Sequence, residues 1–194
     1  MPVGLEKYMV QFCFSTMVRA GIVMAAGAVM AAGAAQSQQR EPDPHKVDVA
    51  QMVACKYDVP TYNDYAMALG ASGEGAAALG LTRIEDTPNP FMHEYQLAAP
   101  IDVLGWRTQR VALASGAMLA VLDQVKPQDV AQRLGIEEAL RDDDFKYMAM
   151  RVAHHTQEKV GSSTLNTVIS HEVSTVITHP GQVLVGCSYR VNTY

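Results

Sequence analysis

Apolar and polar residues alternate most regularly between Leu165 and Ile177. Leu165, Ile169, Val173 and Ile177 fall on one side of an extended chain, and Ser170, Glu172 and Ser174 on the other. The pattern predicts a strand over 164–178 with a core face and a solvated face. "KYMAMRVAHHTQEK" and "QVLVGCSYRV" flank it as two further strands, with "VGSS" and "HPGQ" as the turns between.

Upstream, "FMHEYQL", "IDVLGW", "QRVALAS" and "AMLAVLD" read as shorter strands separated by Ala-Pro, Gly-Trp-Arg and Ser-Gly. "VDVAQMVACKY" places Val47, Val49, Val53, Cys55 and Tyr57 on one face and reads as a strand, with a helix as the alternative. A helix is expected from Tyr62 to Leu69, with Thr61 as N-cap and Asp64 three residues on. A second helical piece, "EGAAALGL", closes at Gly80. A third spans 127–134, where Pro127 suits the first turn and Asp129 the positive end of the dipole. In "ALGL" and "RLGI" the glycine can take the left-handed cap conformation.

These elements predict an α+β fold over residues 47–194, a largely antiparallel β-sheet with helices on one face. Their order is compatible with a duplicated βαβββ-type unit. In that order alone the chain resembles the vicinal-oxygen-chelate enzymes, whose paired βαβββ modules hold His, Glu and Gln metal ligands in a cupped sheet. No motif of that superfamily matches residue by residue, so the resemblance assigns no ligand.

Residues 20–35 are only Ala, Gly, Val, Ile and Met. As a helix these roughly sixteen positions reach about 24 Å, short of the roughly 30 Å hydrocarbon core of a bilayer. Lys7 and Arg19 precede the run, small residues end it, and polar "QSQQREPDP" follows. That layout predicts a cleaved signal peptide over 1–35 and a disordered mature N-terminus over 36–46, beginning at Ala35 or Gln36. A retained anchor and a buried helix are the alternatives. Cleavage implies a secreted protein, periplasmic if the source is Gram-negative, with no stable membrane insertion afterwards.

Cleavage also changes charge and cysteine count. Loss of Lys7, Arg19 and Glu6 moves the formal charge from −5 to −6, and no basic cluster remains, which argues against nucleic acid as a partner. Cys55 and Cys187 are left, and a single pair in an exported chain reads as a disulfide, with two buried thiols as the alternative. Closing so long a loop is worth about 4–5 kcal/mol in the chain-entropy model.

Candidate chemistry is sparse, and the catalytic residues are unknown. If "VGSS" is a tight hairpin, His171 falls opposite residues 152–154 and neighbours His154. Two imidazoles make half of a zinc site, and His93 with Glu94, or Glu172, would have to complete it. No Gly-x-Ser-x-Gly elbow occurs, and "GASGEGAAALG" lacks the Gly-Lys-Ser/Thr ending of a phosphate loop, so it reads as a helix–helix connection. Asp142–Asp144 reads as a solvated turn. In "DTPNPFMHEY", Phe91, His93 and Tyr95 would share one face, as a binding edge or as core. Trp106 beside Arg107 is an interface anchor or simple packing.

No cofactor is expected. The sequence predicts an exported, non-enzymatic binding or accessory protein with an unknown protein or small-molecule partner. The alternatives are a small secreted enzyme, either a metal-dependent lyase or isomerase using His154 and His171 or a hydrolase, and an inhibitor of a secreted hydrolase.

Overall fold

The structure, a computed structural model, describes residues 43–70, 73–114, 116–143 and 146–194. The expected signal peptide and residues 36–42 lie outside the described residues. Pro44–Lys46 form a 3-10 turn whose cap, Asp43, accepts from the His45 N–H.

Asp48 decides the first element. Its carboxylate accepts from the N–H groups of Ala50 at 2.8 Å and Gln51 at 3.4 Å, and Val49–Val53 form helix α1. The expected strand over 47–57 is therefore a helix. Val49, Met52 and Val53 also fit helical spacing, and the N-cap satisfies donors that an extended chain would leave to a sheet neighbour. Helix α2, Val59–Leu69, starts three residues earlier than expected, because its cap is Asp58, which accepts from the Thr61 N–H at 3.0 Å. Helix α3 is Gly73–Ala78. A Cβ on Gly75 would stand 2.3 Å from the Ala68 carbonyl oxygen, so glycine lets α3 approach α2.

The strands are β1 (Leu81–Ile84), β2 (His93–Val103), β3 (Trp106–Ala114), β4 (Ala117–Asp123), β5 (Arg141–Asp143), β6 (Lys146–Val160), β7 (Ser163–Ser174) and β8 (Gln182–Thr193), with helix α4 (Pro127–Arg133) between β4 and β5. They form one antiparallel sheet in the order β1-β2-β3-β4-β8-β7-β6-β5. The α+β expectation holds in this coarse form. The expected first βαβββ unit lacks its first strand, which is α1. "FMHEYQL" and "IDVLGW" belong to one strand, β2, whose register slips between Gln96 and Ile101. The acidic run is not simply a turn, since Asp142 and Asp143 lie in the exposed edge strand β5.

The β4–β8 ladder joins the two four-stranded runs of the chain. Gly186 sits in it opposite Leu119, where a Cβ would come within 2.1 Å of the Met118 carbonyl oxygen. Only glycine allows the strands so close at that point.

Tyr95, Val111, Met118, Val185, Ile169 and Val173 line one face and share a core cluster with Met52, Tyr62, Tyr65 and Val130 from the helices. Cys55 and Cys187 are bonded, with Cα atoms 5.2 Å apart. The bond ties the end of α1, not a neighbouring strand, to β8. Next to it Tyr189 stacks on Tyr62 with ring centroids 4.4 Å apart and donates its O–H to the Met52 carbonyl at 2.9 Å.

The opposite face is not solvated as expected. Ser170 and Ser174 are buried, and Ile177, expected in the core, is 81% exposed because β7 ends at Ser174. The β7–β8 connection turns back across this face. Val176 packs on the cluster of Leu119, Val121 and Leu184, Met92 joins from the β1–β2 loop, and His179 reaches Glu94 on β2. Among the described residues no helix is long and apolar enough to cross a membrane.

Candidate functional site

The loop-covered face carries polar groups among apolar ones. Across the sheet Glu172, Gly186 and Leu119 stand in register, as do Ser170, Ser188 and Ala117. Met92 and Val176 flank an open pocket of about 220 Å³ on this face, whose lining also includes Leu119, Glu172, Lys146, Ser188 and Arg190.

Ser188 is 2% exposed, and its hydroxyl has no hydrogen-bond partner among the described residues. Glu172 is half-buried and enters none of the ion pairs among the described residues. Burial pushes its carboxyl above the ordinary value, and Arg190 and Lys146 pull it only part of the way back. The pocket thus brings one carboxyl and two cations together with Met148, Leu119 and Leu184. It can hold a small polar molecule by charge and hydrogen bonds.

Beside it lies a second polar group. Glu94 is wholly buried, and its carboxylate lies 2.5 Å from Arg110 Nη2 and 2.8 Å from His179 Nε2. His179 Nδ1 lies 2.9 Å from the Thr178 hydroxyl. Burial alone would raise the Glu94 carboxyl, but the hydrogen bonds from Arg110 and His179, with their charge, hold it below its ordinary value. With both oxygens occupied, this cluster works as a clamp on the β7–β8 connection.

The residues singled out in the sequence do not form one site. Phe91 is 83% exposed and lies before β2, at the mouth of the cavity, so it shares no strand face with Tyr95 and is not core. Tyr95 is wholly buried and donates its O–H to the Gly70 carbonyl at 3.4 Å. His93 is half-buried, its Nδ1 3.4 Å from Arg83 Nη2. Trp106 lies under the Arg133 guanidinium, 3.9 Å from the ring centroid, while Arg133 also donates to the Leu104 carbonyl. Arg107 is exposed in β3.

His154 and His171 are not directly opposite. An irregularity between Val152 and His154 pairs His154 with Ile169 and His171 with Arg151, leaving the imidazoles as diagonal neighbours. His171 is held below its ordinary value by burial first, then by Arg151, Lys56 and His154. Among the described residues no three His, Cys, Asp or Glu side chains come together as metal ligands. His154 instead lines a groove of about 560 Å³ between the α1–α2 linker and the ends of β6 and β7. No buried polar group without a partner lies in that groove among the described residues.

The sequence reading missed Ser188 and His179, had Arg110 only beside Trp106 as part of an interface anchor, and had Glu94 and Glu172 only as possible completions of a metal site. A lone glutamate within the apolar run "FMHEYQL" was the available signal for Glu94. Ser188 offered none. Comparison of the chain with protein-family models, curated proteins and solved structures returned no match.

Proposed function

We propose that this chain is an exported, non-enzymatic binding or accessory protein, secreted or, in a Gram-negative cell, periplasmic, whose ligand sits in the pocket flanked by Met92 and Val176. One observation carries the reading: Lys146, Glu172 and Arg190 line one pocket together with apolar side chains, and Glu172 enters none of the ion pairs among the described residues. The Cys55–Cys187 bond is compatible with an oxidising compartment.

The finer architecture belongs to the same reading, with the helices on one face and the two halves descended from one duplicated unit. Its support is the single core cluster shared by residues of all four helices. A second support is that the second half, from β4 through α4 to the long strands β6, β7 and β8, keeps the strand-helix-strand-strand-strand order, with the short edge strand β5 added.

Isotope-labelled mature protein titrated with a mixture of amino acids, sugars and short carboxylic acids tests the binding. Amide shifts confined to residues 89–92, 174–176 and 184–190 support it, and no shift there at millimolar concentrations overturns it. For export, an intact mass beginning at Ala35 or Gln36 is the expected result, and exported material retaining residues 1–34 refutes cleavage.

A further inference from the structure

We propose that the cavity is a receptor for a free aliphatic amino acid, its carboxylate held by Lys146 and Arg190 and its ammonium by Glu172. The inference rests on the binding reading above and names the ligand class for that site.

Size is the first argument. At about 220 Å³ the pocket is smaller than the roughly 300–1,000 Å³ of sites that bury drug-sized ligands, a size that suits an occupant of few heavy atoms. Charge is the second. Glu172 has no ion pair of its own among the described residues, yet it feels both Arg190 and Lys146. A simple carboxylate placed between the two cations meets Glu172 as a like charge. A simple amine at Glu172 meets two cations. A zwitterion satisfies all three groups at once, and its ammonium supplies the partner that the half-buried Glu172 lacks.

Hydrogen bonding is the third argument. The Arg190 guanidinium offers several N–H donors and the Lys146 ammonium three, so two cations on the pocket wall can donate to both oxygens of one carboxylate. The remaining wall is apolar. Met148, Leu119 and Leu184 face the cavity and would receive an aliphatic side chain.

Titration calorimetry of the full mature chain with three probes tests the proposal. They are L-leucine, 4-methylpentanoate, which lacks the ammonium, and 3-methylbutylamine, which lacks the carboxylate. L-leucine should bind at least ten-fold more tightly than either half-ligand. In the Glu172→Gln variant, shown by its melting curve to be folded, L-leucine should lose at least ten-fold while 4-methylpentanoate binds unchanged or more tightly. That divergence separates recognition of the ammonium from a general loss of structure.

If either half-ligand binds as well as L-leucine, the amino-acid proposal falls while the cavity remains a binding site. If no probe binds yet the broader mixture shifts the amides around the cavity, the ligand class is again wrong and the binding reading survives. If neither probes nor mixture perturb the cavity, both are overturned.

Discussion

Glu94→Gln tests the clamp that holds the β7–β8 connection against the sheet. Glutamine keeps the shape of the side chain and one acceptor oxygen but removes the charge. The Glu94 and His179 side chains are each 1% exposed, whereas the Arg110 side chain is 31% exposed. Most of the loss therefore falls on the His179 contact. Breaking one partner of a buried pair costs about 3–5 kcal/mol, and the retained acceptor argues for the lower end, about 3 kcal/mol. For a domain near 150 residues that lowers Tm by about 6–12 °C.

The pH dependence follows from the direction of the shift. Glu94 titrates below its ordinary 4.5 in the folded protein, so between the folded and unfolded values the unfolded chain binds more protons. Its contribution is complete above 4.5 and fades as pH falls through the folded value. Melting curves of wild type and variant should differ at pH 7 and converge in acid. Adding His179→Gln to the variant should cost at least about 1 kcal/mol less than adding it to wild type. Melting points within two degrees of each other at pH 7, or a gap that persists undiminished in acid, would refute the charge argument.

Three further outcomes are expected. Gly186→Ala drives a Cβ into the Met118 carbonyl and should cost about 3 kcal/mol or more in urea melts, the upper end for overpacked positions. Replacing Cys55 and Cys187 by serine opens a loop with a sequence separation of 132 and should cost about 4–5 kcal/mol, and non-reducing peptide maps of wild type should contain the cross-linked pair. Glu172→Gln should stabilise the unliganded protein at pH 7. Burial raises the carboxyl, so the folded state binds more protons above pH 4.5, stability falls as pH rises toward neutral, and the variant should lose that slope.

The antiparallel sheet was legible because β6, β7 and β8 each carry long, turn-bounded alternation, and the disulfide because the expected cleavage would leave only Cys55 and Cys187. The strand expected at 47–57 failed for a local reason. Val49 and Val53 share a face in either conformation, and Asp48, unweighed, settled it by capping. The solvated face failed for a distant one, since the His179–Glu94 contact spans 85 residues and leaves no periodic trace. Register slips hid the rest. Counted from the turn that pairs Ile101 with Thr108, Arg110 would stand opposite Ala99, but the irregularity in β2 sets it opposite Gln96, beside Glu94.

Strand β8 connects the stabilising devices to the cavity. Successive residues of a strand point to opposite faces, so Cys187 meets α1 while Ser188 meets the cavity. The disulfide and the Tyr62–Tyr189 stack thus immobilise, from behind, the strand that presents Ser188 and Arg190. On the front, the Glu94–His179 contact fixes the connection that brings Val176 to the cavity. A small ligand has few atoms with which to offset the ordering of its own site, so weak contacts suffice only if the walls are already held in place. All three devices act on the walls rather than on the occupant. That distribution of rigidity is the one a receptor for a small polar molecule requires.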